Sequence, residues 1–237
     1  MSIRNAANMV TAGRFLELGV PTTRIRESLE FYLGLGFTEI PTNDIRVSEY
    51  AAVSDGSIVI GLHGDRIDVP VLTFVQPDVA GSVQRLADMG IETSFQRLGP
   101  DAFNEAGIAG PDGHLLAMIE ARTFSQSDLR GFPDTLIGRC TSIVLRSNDV
   151  ERATVFWEAA GLTREYQSEA GCRLAAPGIL LELDEYERSP EPVLKYVPKD
   201  FDQVVGSLDT ANIDSRPASA GRLIRTPEGT RIVLADA

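Results

Sequence analysis

A stretch of 22 residues occurs twice in this chain, and that duplication limits the available folds more than any other feature. PVLTFVQPDVAGSVQRLADMGI at 70–91 returns as PVLKYVPKDFDQVVGSLDTANI at 192–213, an offset of 122. Identical pairs include Pro70/Pro192, Val71/Val193, Leu72/Leu194, Val75/Val197, Asp78/Asp200, Val83/Val205, Leu86/Leu208 and Ile91/Ile213. The relation extends in both directions, since RESLEFYLGLGF at 26–37 matches ERATVFWEAAGL at 151–162 and GPDGHLLAM at 110–118 matches TPEGTRIVL at 226–234. Order is kept while the offset drifts, so the length differences fall in loops, where insertions are tolerated. Two homologous halves follow, 14–120 and 139–237, with an N-terminal extension over 1–13. Residues 121–138 (ARTFSQSDLRGFPDTLIG) lack a sustained hydrophobic period and read as the linker.

Each half repeats a shorter pattern. In the first, a strand at FLELGV precedes a helix at RESLEFYLGL, whose Leu29, Phe31, Tyr32 and Leu35 suit one helical face. Strands follow near GFTEI, VSEYAAV and SIVIGLH. The cycle then restarts with VLTFV, the helix DVAGSVQRLADMG, and strands near TSFQRL, FNEAGIAG and HLLAMIE. Asp78 and Asp200 stand at helix N-cap positions, where a side-chain oxygen can accept from a first-turn amide. The pattern is four βαβββ units.

Composition removes several function classes. A net charge of −12, with no basic run carrying interleaved aromatics, opposes binding to phosphate backbones or anionic lipid. Two cysteines, Cys140 and Cys172, are too few for a disulfide framework and lack metal-site spacing. The opening residues carry no apolar run of signal-peptide type, and no later run approaches the roughly 18–20 residues needed to span a bilayer. The expectation is a cytoplasmic chain with a small-molecule partner and without nucleic acid or membrane.

The S-L-x-F-Y helix followed by LGF, with a PDG turn before the last strand, resembles the vicinal oxygen chelate superfamily. That superfamily includes glyoxalase I, extradiol dioxygenases, fosfomycin-resistance enzymes and bleomycin-resistance proteins. The resemblance covers about nine-tenths of the chain. It implies an α+β fold of two tandem glyoxalase-like domains, whose four units form two cupped, mixed eight-stranded sheets. Four units can complete both sheets in one chain, which leaves monomer and homodimer open. Pairing of units within a half and exchange between halves also stay open.

In such enzymes metal ligands come from the first and last strand of each unit. Aligned on SLEFY, the first-strand position falls on Glu17, and ERATVFW places its counterpart at Ser142. The fourth strands, VIGL and LLEL, give Gly61 and Glu182. Counting five back from Val75 and Val197 gives Pro70 and Pro192 on the fifth strands, and the eighth offer Ala117 and Val233. Under either pairing of units, a site collects at most one carboxylate. A lone carboxylate does not hold a catalytic divalent ion, so the resemblance implies neither metal nor other cofactor here.

Strand alternation assigns side chains to the cavity-facing side. In the first half these are Phe15, Glu17, Val59, His63, Leu72, Phe74, Leu115 and Ile119; in the second, Cys140, Val144, Leu180, Glu182, Asp184, Leu194, Tyr196 and Arg231. The ligand-contacting candidates are Phe15, Glu17, His63, Phe74, Glu182, Tyr196 and Arg231. Glu17 offers an anchor for a cation or a proton acceptor, and His63 an acid or base near neutral pH. Phe74 and Tyr196, at matched positions, offer aromatic surface. A structural role is open to each: ion pairing for Glu17, Glu182 and Arg231, a rim hydrogen bond for His63, and core packing for the aromatics. The sequence therefore points to a metal-free binder of an apolar, planar or cationic small molecule. The alternative is an enzyme of the same superfamily, a lyase, isomerase or dioxygenase, using Glu17, His63 or a metal site the alignment displaces.

Overall fold

Alternation of period two gives way to helical periodicity once in each quarter of the chain, and the observed elements follow that rhythm. The computed structural model describes residues 12–41, 49–100, 103–121, 129–219 and 221–236. The proposed N-terminal extension is described only at residues 12 and 13, and 122–128 of the proposed linker lie outside the described residues. The first half runs β1 (Arg14–Pro21), α1 (Ile25–Gly34), β2 (Thr38–Glu39), β3 (Tyr50–Ser54), β4 (Val59–His63), β5 (Val71–Gln76), α2 (Val79–Asp88), β6 (Phe95–Arg97), β7 (Glu105–Ala109) and β8 (Leu115–Glu120). The second runs β9 (Cys140–Arg146), α3 (Val150–Ala159), β10 (Thr163–Gln167), β11 (Gly171–Ala176), β12 (Ile179–Asp184), β13 (Val193–Tyr196), α4 (Phe201–Thr210), β14 (Ser215–Ala218), β15 (Gly221–Arg225) and β16 (Arg231–Ala235). These are four βαβββ units in a tandem α+β fold.

Two mixed eight-stranded sheets result, ordered β2-β3-β4-β1-β5-β8-β7-β6 and β10-β11-β12-β9-β13-β16-β15-β14. Each sheet draws its strands from one sequence half, so the strand ladders do not exchange between halves. Parallel contacts join the first and fourth strand of a unit, as in β5 with β8 and β13 with β16. The intervening helix supplies the crossover such pairs need.

Helix starts are specified by side chains. Asp78, Asp149 and Asp200 cap α2, α3 and α4 by accepting from the amides of Gly81, Arg152 and Gln203. The first helix begins without a side-chain cap and buries Ser28 and Tyr32, with Leu35 just beyond its end. The PDG and PEG turns before β8 and β16 hold Gly113 at φ 88° and Gly229 at φ 99°, a left-handed conformation that excludes most side chains.

By compactness the chain gathers into two units that do not follow the sequence halves. One comprises the described parts of 1–16, 71–126 and 146–188; the other those of 17–70, 127–145 and 189–237. In the first unit Asp112 accepts from Ser147 Oγ at 3.1 Å and from the Asn148 amide at 3.0 Å. In the second, Tyr32 donates to Glu228 Oε1 at 2.7 Å. Asp55, fully buried, accepts from the Cys140 amide at 2.6 Å and the Tyr196 hydroxyl at 2.8 Å. No helix among the described residues is long and apolar enough to cross a membrane.

Candidate functional site

Strands β1 and β4 lie side by side in parallel, with Gly19 level with Gly61 and Pro21 with His63. Strand β3 pairs with β4 from the other side, Tyr50 opposite His63 and Ala52 opposite Gly61. Paired residues share a face and alternate residues return to it, so Glu17, Gly19, Tyr50, Gly61 and His63 stand on one side of the sheet. Leu18, Val20, Ile60 and Leu62 fill the other and are fully buried.

On the first side, the Glu17 carboxylate is 7% exposed and has two donors. The Tyr50 hydroxyl donates to Oε2 at 2.5 Å, and His63 Nε2 lies 2.9 Å from Oε1. A buried carboxylate needs such partners to offset its lost hydration. Glycine makes the arrangement possible: a Cβ at Gly61 would lie 2.5–2.7 Å from the carboxylate atoms, and one at Gly19 would lie 3.2 Å from His63 Nε2. The Tyr50 and His63 rings meet edge to face, centroids 4.8 Å apart. His63 Nδ1 is buried without a hydrogen-bond partner. Beyond β4, Gly64 and Ile67 help line a groove of about 360 Å3, together with Pro21, Arg24, Asp68 and Glu228.

Among the sequence candidates, the structure thus brings Glu17 and His63 into direct contact. Phe15 is buried edge-on to Phe74, ring centroids 5.5 Å apart. Glu182 lies opposite Arg173 on β11, with Oε1 3.5 Å from Nη2. Arg231 is level with Val193 on β13.

Phe74 and Tyr196 require correction. Phe74 is level with Met118, and Gln76 on the same face accepts from Ser82 of α2 at 2.8 Å, so this is the helix-covered side. Tyr196 shares its face with Leu194, Ile232 and Leu234, all fully buried. Burial, aided by Cys140 and Asp55, pushes the Tyr196 phenol well above its ordinary range, which keeps it a donor to Asp55. Both rings are core. The parity error came from counting to Pro70 and Pro192, which precede β5 and β13. The face of Ala117 is shared instead by Val71, Thr73 and Val75, and that of Val233 by Val193 and Lys195. A one-residue slip inverts a strand. Leu72 and Leu194 move to the core side for the same reason.

Sequence reasoning missed Tyr50 and Lys195. A two-residue Asp55-Gly56 turn, the hairpin the sequence suggests, would set Tyr50 opposite Gly61, whereas the observed loop runs over residues 55–58 and sets it opposite His63 on the same face. Lys195 was hidden by the slip.

A metal of the kind this fold commonly carries does not suit these residues. Gly61 has no donor, and its space is taken by a carboxylate already bonded to Tyr50 and His63. Thr73 stands level with Ala117, and Lys195, whose ammonium repels cations, stands level with both Ser142 and Val233. Among the described residues no three His, Cys, Asp or Glu side chains are grouped to hold an ion.

No protein-family profile matches the chain, and no curated protein matches it in sequence. Solved structures do match in three dimensions. A catechol 2,3-dioxygenase superimposes with TM-score 0.65 at 13% identity, covering 97% of this chain and 88% of the other. Homoprotocatechuate 2,3-dioxygenase from Arthrobacter globiformis gives 0.68 at 12% identity, covering 97% and 81%. An extradiol ring-cleaving dioxygenase from Brevibacterium fuscum gives 0.66 at 14%, covering 99% and 74%. Across nearly its whole length, then, this chain has the vicinal oxygen chelate fold seen in the extradiol dioxygenases.

Proposed function

We propose that this chain is a metal-independent small-molecule-binding protein, similar in logic to the bleomycin-resistance members of its fold, taking an apolar, planar or cationic ligand beside Glu17. The observation that carries the reading is the state of the Glu17 carboxylate. It occupies the space above Gly61 and is engaged by Tyr50 and His63, so the position that would offer a metal an anionic donor serves an internal hydrogen-bond cluster. Elemental analysis of protein purified without chelators tests this directly: substoichiometric transition metal is expected, and one equivalent of tightly held ion would overturn it. Thermal shift against planar and cationic aromatic compounds supplies the second arm, with a saturable rise in Tm expected for at least one class.

A second reading is favoured by one observation, the bare Nδ1 of His63 beside a carboxylate-held Nε2. In it the protein is a metal-independent enzyme: His63 takes a proton from a bound substrate at Nδ1, and Glu17 orients and stabilises the imidazolium. Turnover that survives chelation and is lost in both His63→Gln and Glu17→Gln would select this reading over sequestration.

A further inference from the structure

We infer that the ligand of this site is a neutral molecule presenting a hydroxyl or N–H donor to His63 Nδ1, rather than a cation anchored by Glu17. The inference rests on the binding reading above and narrows its ligand class.

The argument begins with donor and acceptor counts. A carboxylate only accepts, so the Tyr50 hydroxyl donates to Oε2, and His63 Nε2 must carry the proton it shares with Oε1. The opposite tautomer would set a nitrogen lone pair against an anionic oxygen 2.9 Å away. With Nε2 protonated, the neutral ring leaves Nδ1 as an acceptor, and that atom is buried and unpartnered. No described group is placed to accept from Nδ1, so in the neutral ring its open valence is a lone pair. The unmet demand of the cluster is therefore for a donor.

Glu17 meets an approaching cation with both oxygens already bonded, beneath two rings packed edge to face. A fully alkylated cation, with neither N–H nor O–H, supplies nothing Nδ1 can accept. The neighbouring groove, about 360 Å3 and bounded by Gly64 and Ile67 immediately after His63, has room for a two-ring molecule. Ile67 lies beside the His63 ring above Gly19, and because Nδ1 is buried its surroundings must yield for a donor to reach it.

The chain has only two histidines, which makes the test direct. In protein labelled with 15N-histidine, His114→Gln leaves a single imidazole in the spectrum. The expected result at neutral pH is the Nε2–H tautomer with a non-protonated Nδ1, and an upfield move of the Nδ1 resonance when 2-naphthol is added. 2-Methoxynaphthalene, the same shape without the donor, should bind about tenfold more weakly and leave that resonance in place. N-methylquinolinium, a planar cation, should also leave it in place. His63→Phe should abolish the preference for naphthol over its ether. An imidazolium or an Nδ1–H tautomer in the free protein overturns the inference without any ligand. Equal binding of naphthol and ether, or tighter binding of the cation, overturns the donor assignment alone and spares the binding reading. Failure of all three probes to bind overturns both.

Discussion

A glycine level with a glycine, Gly19 beside Gly61, gives the Glu17 carboxylate and the His63 ring their room. Gly61→Ala should therefore destabilise the protein by about 1–3 kcal/mol through forced displacement of the carboxylate. In a Glu17→Ala background the same change should cost much less, and a urea-unfolding double-mutant cycle reads that coupling. Glu17 was legible through the resemblance, which puts a first-strand ligand position there, and His63 through alternation two residues beyond Gly61. Tyr50 was not, because its partner is fixed by a hairpin register. Phe74 and Tyr196 face the core because β5 and β13 begin one residue after Pro70 and Pro192, which inverts the parity a count from those prolines implies. The other histidine carries a pH signature. Burial lowers the His114 pKa from 6.5, with its ring nitrogen 3.0 Å from the Arg146 carbonyl oxygen and Asp112 opposing the shift in part. Below 6.5 the unfolded chain binds the proton more readily than the native one, so the stabilising contribution is present above that pH and lost as pH falls towards the native value. Urea midpoints measured from about pH 7 to pH 5 should fall, and His114→Gln should flatten that slope.

Helices were the most readable elements, because three of the four begin at an aspartate whose side chain takes a first-turn amide. Asp78→Ala and Asp200→Ala should each cost about 1 kcal/mol, and their effects should add, since the two caps serve different helices. Thermal unfolding of the two single variants and the double variant checks both statements. Strand positions were also legible, but their ends were not. Strand β2 holds only Thr38–Glu39 where GFTEI was expected, since it pairs with β3 alone at a sheet margin, with the Ile40 amide donating once more to the Ala52 carbonyl beyond its end. The segment FNEAGIAG contracts to β7 at Glu105–Ala109 because its register against β8 ends there. Propensity marks where a strand can form; pairing decides how far it runs.

At the scale of the molecule, the sequence repeat revealed four units enough for two sheets, but neither which units share a sheet nor how the chain condenses. Each compact unit takes strands and helices from both halves, through contacts such as Tyr32 with Glu228 and Asp112 with Ser147. Nothing in periodicity announces such contacts, because they depend on which faces meet after the sheets form. Expressed alone, a chain cut within 121–138 should leave both units incomplete. The single tryptophan reports on this: Trp157, 1% exposed, belongs to the unit that also needs residues 71–126. The isolated C-terminal half should show red-shifted emission, and adding the N-terminal half should restore the blue-shifted spectrum. Because each compact unit draws on both halves of the duplication, the peptide link between the halves makes completing a unit an intramolecular event, independent of protein concentration.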